Sequence, residues 1–141
     1  MKVSEIMSHD VQIANPQQSV AEVARIMADK EIGFMPVGEN DQLVGTITDR
    51  DIVVRAVADG MGGDAMVREV MTRDIKYCFE DEDVDDLTRN MGDVKVRRMP
   101  VVNRDKRITG VVSIGDAALA EREAAGAGLK KVAEPGGPHA Q

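Results

Sequence analysis

The chain has 141 residues, a formal net charge of −7, 43% hydrophobic and 30% charged residues, the composition of a globular unit large enough to bury a core. The acidic balance and the small aromatic set, Phe34, Tyr77 and Phe79, argue against nucleic acid, which needs clustered cations and stacking faces. One cysteine, Cys78, excludes an internal disulfide and a multi-cysteine metal site. With no apolar run of membrane-spanning length and a polar start, MKVSEIMSHD, the expectation is a cytoplasmic protein without a membrane partner.

In chain order, a short helix on VSEIM leads and a short strand over residues 11–14 follows. Ser19 is the expected cap of an amphipathic helix, with Glu22 as its reciprocal partner, and Val20, Val23, Ala24 and Met27 form one apolar face. Strand GFMPV, turn GENDQ and strand LVGTIT come next, the proline marking a strand end or edge. Thr48 and Asp51 then open a last helix. After the linker DGMGGDA the order returns: helix VREVM, a strand over 75–79, a helix capped by Asp83 with Val84, Leu87 and Met91 along its stripe, strand RRMPVV, turn NRDKR, strand ITGVVS, and Ser113 and Asp116 at a final helix. From about Gly126 the chain carries Gly and Pro punctuation and is expected to be frayed or disordered.

The two passages are one passage written twice. At an offset of 64 residues Val3, Glu5, Met7, Asp10, Val20, Arg25, Met27, Asp29, Met35, Pro36 and Val37 find identical partners, ending at Val101. One extra residue then enters, and at an offset of 65 Gly45 meets Gly110, Thr48 meets Ser113 and Asp51 meets Asp116. The period exceeds that of most solenoid units, so the pattern predicts an α/β (α+β) pair of pseudo-symmetric halves. Each half is helix–strand–helix–strand–strand–helix and marginal alone, so the halves are expected to bury a shared face. The units are a first repeat over 1–58, a linker over 59–65, a second repeat over 66–121 and a C-terminal extension over 122–141.

This order, with Met-Ser/Thr near the start, MPV in the middle and Gly-x-x-Ser/Thr-x-x-Asp at the end of each copy, resembles the CBS domain. Two in tandem resemble a Bateman module, packed sheet to sheet. Small stand-alone pairs of this type share the TDRDIV and RR-x-PV segments. The resemblance covers residues 3 to 121. It implies a non-catalytic regulatory module, sensing energy or redox state, that holds AMP, ADP, ATP, NAD or S-adenosylmethionine in clefts between the repeats. It also implies a disc-shaped homodimer. No effector domain is seen, so the effector is expected to be a separate protein.

The candidate residues each carry two readings. Thr48 with Asp51, and Ser113 with Asp116, can simply cap helices; by resemblance the two acids grip ribose hydroxyls, and Thr48 and Ser113 support ribose or phosphate. Arg97 and Arg98 are either a solvated strand edge, with one of them facing solvent, or a phosphate clamp. The first repeat has Gly33 and Phe34 at that place, and Arg50 is the candidate substitute. Which cleft the arginines serve is open from sequence. Val11, Ile13, Ile75 and Tyr77 read as core, or by resemblance as walls of an adenine pocket, and Met35 and Met99 read the same way. Cys78 reads as a small buried hydrophobe. The acids at 80–83 suit a helix N-terminus better than a metal. His9 and His139 are the only histidines, and no nucleophile–base set or P-loop is present, so an enzyme is disfavoured. The competing reading is a ligand-free structural dimer that binds a protein partner.

Overall fold

A computed structural model describes residues 1–133. Its elements are a 3₁₀ turn (Val3–Glu5), α1 (Val20–Lys30), β1 (Phe34–Glu39), β2 (Gln42–Thr48), α2 (Asp49–Asp51), which runs on into a wider turn (Ile52–Val57), α3 (Val67–Val70), β3 (Cys78–Phe79), α4 (Val84–Val94), β4 (Arg98–Val102), β5 (Ile108–Ser113) and α5 (Ile114–Ala133). The order is the expected one, stated twice, except that the leading strand of the first repeat is reduced to a single bridge. The wide turn carries bonds from Ala58 N to Val53 O (2.9 Å) and from Met61 N to Ala56 O (2.8 Å), five residues back rather than four.

Local chemistry explains most boundaries. Ser19 Oγ accepts from Glu22 N at 3.1 Å and starts α1, but Glu22 does not complete the reciprocal box; its carboxylate lies 3.5 Å from Gln18 Nε2. Asp83 stands at the cap position of α4 without capping it. Its carboxylate is drawn to the N-terminal amine, 3.6 Å away. The first hairpin closes through Asn40 and Asp41, both at positive φ (54° and 63°), a two-residue turn whose twist suits the strands. The second hairpin holds the inserted residue. There Asn103 Oδ1 accepts from the N–H groups of Asp105 and Arg107, each at 3.0 Å.

β1 pairs antiparallel with β2, and β4 with β5, each pair shifting register at matching places, Val37/Gly38 and Val101/Val102. The expected strands over 11–14 and 75–79 shrink. Only Ala14 bridges to Val37, and only Cys78 and Phe79 pair with Val101 and Val102. Residues 11–13 and 75–77 make no ladder bonds because the chain leaves the sheet there and crosses towards the other repeat.

That crossing exchanges the leading segments. One core joins Val23, Met27, Met35, Val37, Ile47 and Ala56 of the first repeat to Val67, Val70 and Met71 of the second. The other joins Cys78, Leu87, Met91, Met99, Val101 and Val112 to Val3 and Met7 of the first. Backbone bonds fix the crossings: Thr46 and Thr72 exchange N–H···O bonds of 3.0 and 2.8 Å, and Ser8 and Val111 exchange bonds of 2.8 and 3.1 Å. The motif glycines lie under these crossings. A Cβ on Gly45 would stand 2.9 Å from Thr72 O, and one on Gly110 would stand 2.8 Å from Ser8 O.

Two expectations change. Ile13 and Tyr77 are not core: they are 46% and 38% exposed. Past Gly126 the chain continues α5 as far as Ala133, as its alanine-rich sequence favours. The expectation for 134–141 lies outside the described residues.

Cys78 is buried. Burial first, and the nearby Glu82 charge second, push its thiol up from 9.0 to about 12. At pH 8 about one molecule in ten thousand carries the thiolate, so alkylation proceeds only through opening of the fold. Iodoacetamide labelling is expected to be negligible in buffer and complete in denaturant; rapid native labelling would contradict the packing. The sign for stability follows. The raised native value favours folding below pH 9, and that contribution is lost as pH rises towards about 12.

Candidate ligand clefts

The repeated motif caps its helices in both copies. Thr48 N donates to Asp51 Oδ2 at 2.9 Å, and Asp51 N donates to Thr48 Oγ1 at 3.0 Å. Ser113 and Asp116 repeat the geometry at 2.9 and 3.0 Å. Each carboxylate commits one oxygen to the cap. The second oxygen of Asp51, Oδ1, lies 3.9 Å from Arg55 Nε, and its side chain is 14% exposed. Arg55 reaches on to Met71 O at 3.1 Å, tying the motif helix to the crossing segment. At the matching place of the second repeat stands Ala120, so Asp116 has no such companion.

Beside the first motif a cavity of about 500 Å³ separates the repeats, within the usual size range of small-molecule sites. Thr46, Thr48, Asp49 and Arg50 form one wall, and Thr72, Asp74, Lys76 and Lys95 to Arg98 form the other. The arginines of the second repeat therefore face the motif of the first. Both Arg97 and Arg98 line the cavity, and both are also exposed to solvent. Arg97 precedes β4 and is not bound by strand alternation. Lys76 is paired to Asp74 at 3.2 Å. Among the described residues Arg50, Lys95, Arg97 and Arg98 join no ion pair.

The other expected residues are dispersed. Val11 lines a smaller cavity of about 190 Å³ with Asp10, Gln12, Phe34, Arg98 and Val111. Ile75 and Tyr77 line a third with Leu43 and Val102; Ile13 lines a fourth with Gly38 and Ile108. Tyr77 packs edge-on to Phe79, centroids 5.7 Å apart. Asp51, Ser113 and Asp116 line none of these four cavities. Met35 and Met99, 0% and 1% exposed, are core side chains, and neither lines any of these four cavities. Sequence reasoning missed Thr46, Asp49, Thr72, Lys76 and Lys95. The repeat offset was the available signal, since it aligns Thr72 with Ser8 and Lys95 with Glu31.

Two such motif-capped halves, exchanging leading segments around a shared cleft, define a paired-repeat module rather than a single-domain fold. The CBS domain model matches residues 3–57 and 67–123, and the chain belongs to that family. It is 34% identical over 137 residues to the uncharacterized protein YlbB of Bacillus subtilis, covering 94% of this chain and 92% of that one. It is 30% identical over 116 residues to hypoxic response protein 1 of Mycobacterium tuberculosis, covering 81% and 80%. Among solved structures it is similar to the CBS domain pair of protein MJ0100 in complex with 5′-methylthioadenosine and S-adenosyl-L-methionine. That match has a TM-score of 0.78 and 29% identity, over 88% of this chain and 98% of that one. Among the described residues no helix is long and apolar enough to cross a membrane.

Proposed function

We propose that the chain is a non-catalytic regulatory module that binds an adenosine-bearing ligand, from the set AMP, ADP, ATP, NAD and S-adenosylmethionine, between its repeats. The observation that carries this reading is the cavity in which Thr48 and Arg50 oppose Arg97 and Arg98. The adenosine ligands of the MJ0100 pair support it. In this reading Asp51 Oδ1, the oxygen not used in the cap, accepts from a ribose hydroxyl while Oδ2 keeps the cap, and the guanidinium groups hold phosphate. Ser113 and Asp116 hold the same place at the second cleft. Ligand then shifts the pose of one repeat against the other, and a separate effector protein reads the change through differential affinity for two states.

Calorimetry with AMP, ATP, NAD and S-adenosylmethionine is expected to give micromolar to millimolar binding for at least one; flat titrations for all four would remove the reading. Asp51→Asn keeps a cap acceptor and loses the carboxylate charge. It should weaken binding about tenfold while the melting temperature holds.

Assembly is proposed to be a homodimer. Val53, Val54 and Val57 on the turn after the first motif, and Leu119 on α5, are 46–65% exposed, a cost that a second copy removes. Light scattering should give twice the chain mass, falling to one chain in Val53→Lys/Val57→Lys. A monomeric wild type contradicts the proposal. The commitment of both motif acids to caps favours the rival reading, a ligand-free dimer that binds protein partners; a partner pull-down indifferent to nucleotide would support it.

A further inference from the structure

The two clefts are related by the repeat, and the relation exposes a difference. The cavity of about 190 Å³ is walled by Ser8, residues 10–12 and residues 31–34 of the first repeat with Arg98 and Val111 of the second. Shifted by the repeat offset, Ser8, Asp10, Gln12, residues 31–34, Arg98 and Val111 become Thr72, Asp74, Lys76, residues 95–98, Phe34 and Thr46, which line the cavity of about 500 Å³. The backbone is conserved between the two. Glu31 and Lys95 end equivalent helices at φ of 54° and 58°. Asp49 N donates to Gly33 O at 3.0 Å where Ile114 N donates to Arg97 O at 2.8 Å.

The side chains on that common frame differ in charge. Gln12, Glu31, Gly33 and Phe34 in the first are replaced by Lys76, Lys95, Arg97 and Arg98 in the second. With Arg50, the larger cavity sets five basic side chains against Asp49 and Asp74. The smaller has Arg98 alone against Asp10 and Glu31. Unpaired cations around a cleft raise the local concentration of anions and hold them in place, whereas a net acidic rim repels them.

We infer that the clefts are not interchangeable: the larger is a selective seat for a multiply phosphorylated adenosine ligand, and its twin rejects such ligands. This rests on the proposed function and deepens it, giving one polyphosphate site per chain from two copies of one motif. The first repeat's motif supplies the ribose end of that site, and the second repeat supplies the phosphate end.

The test is calorimetry of the full chain with ATP and with adenosine, at about 50 and 500 mM NaCl. Expected are one ATP per chain, tighter binding of ATP than of adenosine, and a loss of at least about fivefold for ATP alone at the higher salt. Lys95→Glu/Arg97→Gly, which copies the twin's chemistry onto the larger cleft, should weaken ATP about tenfold or more and leave adenosine within about twofold. An unchanged melting temperature excludes unfolding as the cause. Glu31→Gln is the control in the twin and should leave ATP affinity and stoichiometry unchanged. Two equivalent ATP sites, or equal affinity for ATP and adenosine in the wild type, would overturn the inference and leave the proposed function standing. Silence from both probes would overturn this inference, and the proposed function falls with it only if AMP, NAD and S-adenosylmethionine are silent as well.

Discussion

A fragment spanning residues 1–58, the first repeat as its sequence suggests, is expected not to fold, whereas a fragment spanning 9–73 keeps a cooperative melting transition. The reason is the exchange of leading segments. The first core draws Val67, Val70 and Met71 from beyond the linker, with exposures of 0%, 0% and 6%. Each such buried side chain contributes about 1.5–3 kcal/mol. Losing three removes about 4.5–9 kcal/mol, as much as a small domain's entire stability. All buried members of that core lie between Ala14 and Met71, so the 9–73 fragment retains them. In the intact chain Val70→Asp buries an unpaired charge and should cost more than about 4 kcal/mol. Circular dichroism and denaturant melts read both outcomes. A folded 1–58 fragment would show that the crossing segments are dispensable.

The second large effect falls on the motif glycines. Gly110→Val and Gly45→Val are each expected to destabilise by about 3 kcal/mol or more. The obstacle at each position includes backbone of the other repeat: Ser8 O at 2.8 Å and Thr72 O at 2.9 Å from the added carbon. A methionine sulfur also lies close, at 2.6 Å from Gly110 and 3.0 Å from Gly45. The thioether can rotate away, but the carbonyl is fixed by its own strand-like bridge. Relief therefore means parting the two repeats, which also deforms the neighbouring cavity, the one lined by Thr46 and Thr72 beside Gly45 and the one lined by Ser8 and Val111 beside Gly110. Gly92, with nothing within 4 Å of an added carbon, is the control: Gly92→Ala on the helix surface should be neutral or slightly stabilising. Equal melting temperatures for Gly110→Val and wild type would contradict the crossing.

These expectations mark what the sequence could express. Periodicity and capping chemistry carried α1, both hairpins and the duplicated order, because those are decided within a few residues. The extra residue of the second copy was visible as a change of offset, and it lies in the Asn103 turn. What stayed hidden is decided across the chain. VSEIM and VREVM look like the first helix of their own repeat, and no local pattern says that each packs into the other core. For the same reason residues 11–13 and 75–77 read as strand and core while they leave the sheet. Asp83 has a cap's position, but the N-terminal amine that diverts it is a contact between distant residues. Met35 and Met99 share their alternation with pocket residues, and only packing separates the two roles.

For the clefts, the chemistry was legible and its placement was not. Thr48 and Asp51 showed both a cap and a ligand grip, and the geometry accommodates the cap with one oxygen to spare. The absence of a basic pair at Gly33 and Phe34 was plain, yet only the fold sets Arg97 and Arg98 against Arg50.

The most direct measurement is a crystal structure of the full chain grown with saturating ATP. The account predicts nucleotide density between the repeats, ribose near Thr48 and Asp51, and phosphates within reach of Arg97 and Arg98. Nucleotide held elsewhere, or an empty cleft at saturating ligand, would contradict it.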